Sequence, residues 1–187
     1  MQLRDYGVVL DRLTEKDLEL VRLWRTSPEI SQYMIYRDTI TPEMQVAWFA
    51  SLDPRRDFYF VIEYQGIRCG LADVKSVDWA EKSFASGIFM TQEYWGTDVP
   101  LRVAFCVSDF AFSDLGLEVS YCKVLKTNTR AIRYNRSLGY QIIATNDAEA
   151  EMYEMRRDKS AYMSATSRLR KYLKNAEETH VEPDHRR

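Results

Sequence analysis

Two kinds of hydrophobic pattern alternate along this chain. Short apolar runs predict β-strands and longer segments with helical spacing predict amphipathic helices, because side chains repeat every two residues along a strand and about every 3.6 along a helix. We expect strands over residues 6–13, 58–64, 68–77, 83–90, 118–125, 140–145 and 151–157. Gln65-Gly66 and Asn146-Asp147 are typical turn residues, so they predict two hairpins.

Helix ends are marked by capping residues and by proline. Thr14, and Thr41 before Pro42, predict two helix starts, and Pro28 is expected to end the first of these helices. Helices are expected over residues 15–26, 42–52, 100–115, 129–138 and about 160–174. The buried stripes predicted for the first two helices are Leu18, Val21, Leu23, Trp24, Met44, Ala47, Trp48 and Leu52.

The alternation of strands and helices predicts one α/β or α+β domain built on a mixed sheet. A chain of 187 residues suits a single domain, which we place at residues 1–174, followed by a polar C-terminal tail over 175–187. The net charge of −2 provides no global field for nucleic acid or an anionic membrane, so neither is an expected partner.

Cysteine usage and the N-terminal sequence indicate a cytoplasmic location. Cys69, Cys106 and Cys122 form no C-x-x-C or Cys/His grouping, so we expect reduced core thiols and no metal site. The first residues lack the apolar segment of a signal peptide, and no apolar run approaches membrane-spanning length.

The candidate chemistry lies between residues 83 and 140. An apolar run leads through Trp95-Gly96 into a helix and a strand, and then into Asn128-Thr-Arg-Ala-Ile-Arg-Tyr134. A strand that enters a helix through a turn points backbone N–H groups at an anionic ligand, as a pyrophosphate requires. This segment resembles the CoA-binding core of the GNAT acyltransferases.

The N-terminal half supports the same resemblance. Leu23-Trp24-Arg25, Ile40-Thr-Pro-Glu43 and Trp48-Phe49 look like the opening helices of the RimJ/RimL-like branch, most of all those enzymes of pseudaminic acid type that acetylate nucleotide-linked amino sugars. The similarity covers about residues 6–157. It implies a single GNAT domain with a mixed, mostly antiparallel sheet flanked by helices, an extra C-terminal helix, and acyl-CoA as co-substrate without a metal.

The resemblance also implies a CoA site. Its predicted residues are Ile88, Met90, Tyr94, Trp95, Gly96, Thr97, Asp98, Val99, Arg102, Asn128, Arg130 and Arg133. The sequence departs from the family at Thr97 and Asp98, where a basic residue and a second small residue are usual. A carboxylate at Asp98 would compete with phosphate for helix N–H groups. An ordinary capped helix without a ligand is therefore the alternative.

Acyl transfer from a thioester to an amine needs a neutral amine, a polarised carbonyl and a proton for the leaving thiolate. Tyr134 matches the family's general acid, and simple packing is the alternative for this residue. No general base stands out, because both histidines lie in the polar tail. We expect water held near Asp73, Glu93, Ser86 or Thr91 to take the place of a side-chain general base.

Aromatic residues in loops suggest where the acceptor binds. The predicted substrate-binding residues are Tyr33, Tyr36, Arg37, Trp48, Asp73, Trp79 and Phe84. Chance exposure, or a contact in a homodimer, is the alternative for the aromatic members.

The predicted function is transfer of an acyl group from acyl-CoA to the amine of a nucleotide-linked amino deoxysugar. Acetyl is the default group of the family, and a larger group such as 3-hydroxybutanoyl stays open. The alternatives are acetylation of a protein N-terminus or small amine, and a degenerate GNAT domain that binds a ligand without catalysis.

Overall fold

A computed structural model describes residues 1–143 and 151–180, with side chains in the last helix described as far as Leu173. The strands in this part of the chain are β1 (Gln2–Asp5), β2 (Val8–Arg12), β3 (Phe58–Tyr64), β4 (Ile67–Asp78), β5 (Ser83–Met90), β6 (Val119–Leu125), β7 (Gln141–Ile142) and β8 (Met152–Asp158). The helices are α1 (Leu18–Thr26), α2 (Pro28–Ser31), α3 (Pro42–Ala50), α4 (Val99–Asp109), α5 (Thr129–Ser137) and α6 (Lys159–His180).

The strands form one sheet in the order β1-β2-β3-β4-β5-β6-β8-β7. Neighbouring strands are antiparallel except β5 and β6, which are parallel. The predicted mixed, mostly antiparallel sheet flanked by helices, with an additional C-terminal helix, is confirmed. The turn predicted at Asn146-Asp147 lies outside the described residues.

Several boundaries differ from the sequence prediction. The strand expected over residues 6–13 is interrupted by a turn at Tyr6 and Gly7, which adopt positive φ angles of 52° and 69° and separate β1 from β2. Pro28 does more than end a helix, because it opens the short helix α2. Helix α6 continues to His180, beyond the end predicted at residue 174.

The sheet has a hydrophobic layer on each face. Helices α4, α5 and α6 cover one face, here called the α4 face, where Phe60, Phe84 and Met155 belong to the main core. Helices α1 and α3 cover the other, the α1 face, where Val61 and Leu71 belong to a second cluster. The alternation of side chains along each strand produces this division.

The buried stripe predicted for α3 is wrong in part. Met44 and Ala47 are exposed, whereas Gln45 is only 5% exposed. Helix α3 is apolar on several sides, so spacing alone did not identify the side that packs on the sheet. Leu23 of α1 is likewise 52% exposed.

The sheet opens between its two parallel strands. Register pairs join β5 to β6 only from Ser83 to Ala85 and from Val119 to Tyr121. Beyond this segment both strands continue, one to Met90 and the other to Leu125, without pairing to each other. The opening at their carboxyl ends positions the site.

Candidate active site

A cavity of about 820 Å³ lies where β5 and β6 separate, and residues from both faces of the sheet line it. Its part on the α4 face, here called the α4 lobe, is lined by Ser86, Ile88, Met90, Gly96, Thr97, Pro100, Leu101, Ser108, Cys122, Asn128, Tyr134, Tyr140 and Arg157. Its part on the α1 face, the α1 lobe, is lined by Arg25, Trp48, Tyr59, Asp73, Lys75, Gly87, Tyr121, Lys123 and Glu154. Two molecules can therefore meet from opposite sides of the sheet.

The loop before α4 uses many of its own amides. The N–H of Thr97 donates to the Tyr94 carbonyl at 3.3 Å, and the N–H of Val99 donates to the Thr97 hydroxyl at 3.3 Å. Pro100 in the first turn has no N–H to give. The loop thus has fewer donors for an anion than its strand-turn-helix order predicts.

Asp98 and Arg102 form an ion pair, which changes their expected roles. The Arg102 Nε donates to Asp98 Oδ2 at 2.9 Å, and its Nη1 donates to the Tyr6 carbonyl at 2.9 Å. Asp98 makes no side-chain cap bond to α4. Asp98 stands at the N-cap position of α4, as the alternative of a capped helix expected, but its side chain binds Arg102 instead of the helix N–H groups. Arg102 compensates the charge of Asp98 and lies outside the cavity lining.

Arg130 lies on the cavity wall in an aromatic stack. Its guanidinium carbon is 4.1 Å from the centre of the Trp95 ring and 5.5 Å from that of Tyr33. Trp95 is held in turn by a 2.9 Å hydrogen bond from Nε1 to the Met90 carbonyl. The stack fixes one guanidinium beside the α4 lobe. By contrast, Arg133 is exposed and outside the lining.

Two other predicted CoA residues also turn away from the cavity. Val99 is buried in the core, and Tyr94 packs edge-on against Tyr64 with ring centres 6.1 Å apart. The CoA prediction assigned side chains by their position in the loop. In the structure Tyr94 and Val99 both pack into or against the main core.

Asn128 and Tyr134 both line the α4 lobe. The Asn128 side chain caps α5 by accepting from the Ala131 N–H at 3.0 Å. The Tyr134 hydroxyl donates to the Pro100 carbonyl at 2.7 Å. Burial raises the pKa of Tyr134 above its ordinary value, which keeps the phenol protonated.

The α1 lobe collects charged side chains. Asp73 is 7% exposed and its Oδ2 accepts from Lys75 Nζ at 3.0 Å. Lys123 and Glu154 form a second pair at 2.8 Å. Arg25 adds a third cation, and its Nε is buried without a hydrogen-bond partner among the described residues.

The predicted aromatic platform forms only in part. Tyr33 and Trp48 line the cavity, but Phe84 is 1% exposed and packs against Phe112, so its assignment to the substrate site is wrong. Phe84 points to the α4 face of β5, where the core lies. Trp79 is exposed after β4 and lies outside the cavity lining.

Tyr36 and Arg37 are the other members of that platform. Both lie outside the cavity lining, and the Arg37 Nε donates to the Met34 carbonyl at 3.0 Å. Residues that the prediction missed take their places, namely Arg25, Tyr59, Lys75 and Tyr121. Strand alternation could have indicated Tyr59 and Lys75, because each shares the face of Asp73.

A buried arginine closes the inner end of the α4 lobe. Arg157 is 3% exposed and donates to the Leu138 carbonyl at 3.1 Å and to the Ser108 hydroxyl at 2.6 Å. Its guanidinium carbon lies 4.3 Å from the centre of the Tyr140 ring and 4.6 Å from that of Tyr162. These contacts stabilise a cation in the core, since no carboxylate among the described residues pairs with Arg157.

Residues 8–141 match the model of a family described as acetyltransferase (GNAT) domain. The chain belongs to the GNAT acetyltransferase family. It is 30% identical over 140 residues to spermidine N(1)-acetyltransferase of Escherichia coli K12, a match that covers 73% of this chain and 74% of that protein. It is also 23% identical over 155 residues to an uncharacterized protein of Methanocaldococcus jannaschii, covering 81% of this chain but only 31% of that protein.

Solved structures share the GNAT fold. Apo FdhC, described as a nucleotide-linked sugar GNAT, superposes with a TM-score of 0.76 at 22% identity, covering 92% of this chain and 98% of that chain. The spermidine/spermine N-acetyltransferase SpeG of Vibrio cholerae gives a TM-score of 0.71 at 16% identity, covering 87% and 99%. Family membership identifies a CoA-dependent acyltransferase domain, with acyl-CoA as its co-substrate.

Within residues 1–143 and 151–180, no group of three or more His, Cys, Asp or Glu side chains is arranged to hold a metal ion. No helix in the described part of the chain is long and apolar enough to cross a membrane.

Proposed function

We propose that this chain transfers an acyl group from acyl-CoA to the amine of a nucleotide-linked amino sugar. The GNAT family supplies the reaction and the co-substrate, whereas the acceptor and the finer RimJ/RimL-like resemblance belong to the proposal. A homodimer and a cytoplasmic location stay predictions.

The α4 lobe is the proposed CoA side. Its apolar strand ends, Gly96 and the stacked Arg130 suit a narrow pantetheine arm followed by a phosphate group. Asn128 and Tyr134 stand beside this path. The thioester would then lie at the opening in the sheet, within reach of the α1 lobe.

The charge of the α1 lobe is the observation that carries the choice of acceptor. Its lining has three cations, Arg25, Lys75 and Lys123, against the two carboxylates Asp73 and Glu154. An excess of positive charge attracts an acceptor that carries phosphate and repels a polycation. The aromatic rings of Trp48 and Tyr121 add flat surface against which a base or sugar can pack.

A polyamine is the second candidate acceptor. The 30% identity to the Escherichia coli spermidine acetyltransferase favours it, and Asp73 and Glu154 could each bind an ammonium group. Both carboxylates, however, already bind lysines, at 3.0 Å and 2.8 Å. A polyamine would have to share these carboxylates with the lysines that already compensate their charge.

In the proposed reaction the neutral amine attacks the thioester carbonyl carbon, the C–N bond forms and the C–S bond breaks. The sulfur leaves as a thiolate and takes a proton from the Tyr134 hydroxyl. The nitrogen gives up one N–H proton, which passes to solvent, and the phenol regains its proton from solvent. The products are an amide and free CoA. Positioning of both substrates in one cavity supplies a further part of the acceleration.

Release of free CoA thiol from acetyl-CoA tests the proposal. A panel of nucleotide-linked amino sugars should be turned over at least about 100-fold faster, in kcat/KM, than spermidine, a difference of about 2.7 kcal/mol. The reverse preference would replace the sugar by a polyamine. CoA binding in calorimetry without turnover of either class would favour a non-catalytic domain.

A further inference from the structure

The α1 lobe contains a buried carboxylate with unused hydrogen-bonding capacity. Asp73 is 7% exposed and lines the cavity, and its Oδ2 is bound by Lys75. Its Oδ1 is buried and has no hydrogen-bond partner among the described residues. A buried, incompletely bonded carboxylate is costly, so such a group points to a ligand donor.

The position of Asp73 in the sheet brings its carboxylate close to the opening. Asp73 pairs with Gly87 in the register of β4 and β5, and Gly87 lies just beyond the last residue pair of β5 with β6. A Cβ built at Gly87 would lie 3.0 Å from Asp73 Oδ2 and 3.4 Å from Oδ1. The carboxylate therefore extends over the bare backbone of Gly87, toward the gap between the strands.

Three elements supply the charged and titratable groups around this carboxylate. They are Arg25 from α1, Tyr59 from β3 and Lys75 from β4, while β5 contributes the backbone of Gly87. Burial raises the pKa of Asp73, while Lys75, then the backbone N–H of Gly87, and then Arg25 act in the opposite direction. A carboxylate with a raised pKa is a stronger base than an exposed one.

We propose that Asp73 is the general base, and that its carboxylate accepts a proton from the acceptor amine on the α1 side of the sheet. This inference rests on the proposed acyl transfer. Lys75 is a positioning residue that holds Oδ2 and leaves Oδ1 for the amine. Gly87 leaves the space through which the two groups meet.

The proton transfers balance around the reaction. Asp73 takes one N–H proton as the C–N bond forms, and the Tyr134 hydroxyl gives one proton to the departing sulfur. The amide and the thiol leave, Asp73 releases its proton to solvent and Tyr134 is reprotonated. Asp73 thus acts from the α1 face and Tyr134 from the α4 face.

Asp73→Asn is the principal test, measured as CoA thiol release over pH 6 to 9.5 with whichever acceptor the parent uses. We expect kcat at pH 7 to fall about 100-fold, within the range of general base catalysis. The loss should shrink toward high pH, where the amine loses its proton without help. CoA affinity in calorimetry should not change. Glu118→Gln, which removes a carboxylate paired with Lys82 at 2.7 Å outside the cavity, is the matched control.

Lys75→Gln provides a second test, because a purely structural role of Asp73 would not shift the pH dependence of the rate. Removal of this cation should raise the pKa of Asp73, so the acidic limb of the rate profile should move to higher pH. Gly87→Ala should lower kcat as well, because the new methyl group displaces the carboxylate. Both variants keep Asp73 and so remain informative if Asp73→Asn does not fold.

The outcomes distinguish a failure of the Asp73 assignment from a failure of the proposed acyl transfer. Asp73 is not the base if Asp73→Asn turns over within twofold of the parent across the pH range. The same holds if the acidic limb of the pH–rate profile does not move in Lys75→Gln. A parent protein that binds CoA but acylates no amine overturns the proposed function first, and the inference falls with it.

Discussion

The Tyr134 hydroxyl donates a 2.7 Å hydrogen bond to the backbone carbonyl of Pro100, which ties the middle of α5 to the first turn of α4. The proton that the proposed mechanism needs therefore points at the Pro100 carbonyl, and both residues line the α4 lobe. A thiolate is a charged acceptor and competes well with a neutral carbonyl for that proton. The bond to Pro100 holds the phenol in place until the thiolate forms.

Replacement of Tyr134 by Phe removes the proton and keeps the ring. We expect kcat to fall by about 10² to 10⁴-fold with little change in the KM for acyl-CoA. Loss of the bond to Pro100 should lower the free energy of unfolding by about 1 kcal/mol. Tyr64→Phe, outside the cavity, is the control. Turnover of a folded Tyr134→Phe protein within twofold of the parent would leave Tyr134 as a packing residue.

Arg130 and Arg133 allow the CoA side to be tested with a matched pair. Both precede Tyr134 on α5, but only Arg130 lines the cavity and stacks on Trp95. Arg130→Met should weaken CoA binding about 10-fold, since a charge-assisted hydrogen bond contributes about 1.5–3 kcal/mol. Arg133→Met should leave the Kd unchanged. Equal effects in calorimetry would contradict the assignment.

Asp73 also predicts a pH-dependent stability. Burial raises its pKa in the folded state, so its contribution to stability is full below the unfolded pKa and is lost as the pH rises through the folded pKa. Asp73→Asn should therefore raise the Tm at pH 7, and the two proteins should converge in acid. Lys82 lowers the pKa of Glu118, so Glu118→Gln should shift the Tm at pH 7 in the opposite direction. A lower Tm for Asp73→Asn at pH 7 would show that its pair with Lys75 outweighs burial.

Gly139 joins α5 to β7 at a close contact with α6. Its φ is +89°, and an added Cβ would lie 2.7 Å from the Ala161 carbonyl oxygen. Gly139→Ala should reduce the free energy of unfolding by about 2 kcal/mol or more, through backbone strain and this clash. Gly66→Ala has φ +79° but open space around the Cβ, so it isolates the strain, at about 1 kcal/mol. Denaturant unfolding that gives equal losses would show that α6 moves aside.

The sequence predicted the fold well because local and global signals agree in the central strands. Ser83–Met90 forms β5 with the predicted bounds, since its apolar run ends at polar residues on both sides. The turn at Tyr6 was missed because a large aromatic residue rarely adopts positive φ. Tyr6 tolerates it in a buried setting, where its hydroxyl donates to Asp109 at 2.7 Å.

The site was harder to predict, because it depends on which face each side chain takes. The resemblance placed Asn128 and Tyr134 in the site, and both line the cavity, from the N-cap of α5 and from within α5. Their roles stay predictions. It could not show that Arg102 binds Asp98, or that Phe84 faces the core. Arg157 was missed because charged residues near the end of a strand are usually exposed, and nothing in the sequence marks this one as buried.

The gap in the sheet also affects how such a protein can evolve. Substitutions at Arg25 or Trp48 alter only the α1 lobe, the proposed acceptor side, and the residues around Asn128 and Tyr134 are left unchanged. One half of the site can thus adapt to a new metabolite under selection while the other retains its inherited chemistry. Directed evolution for a different amine should concentrate its libraries on α1, on α3 and on the α1 face of the sheet that these helices cover.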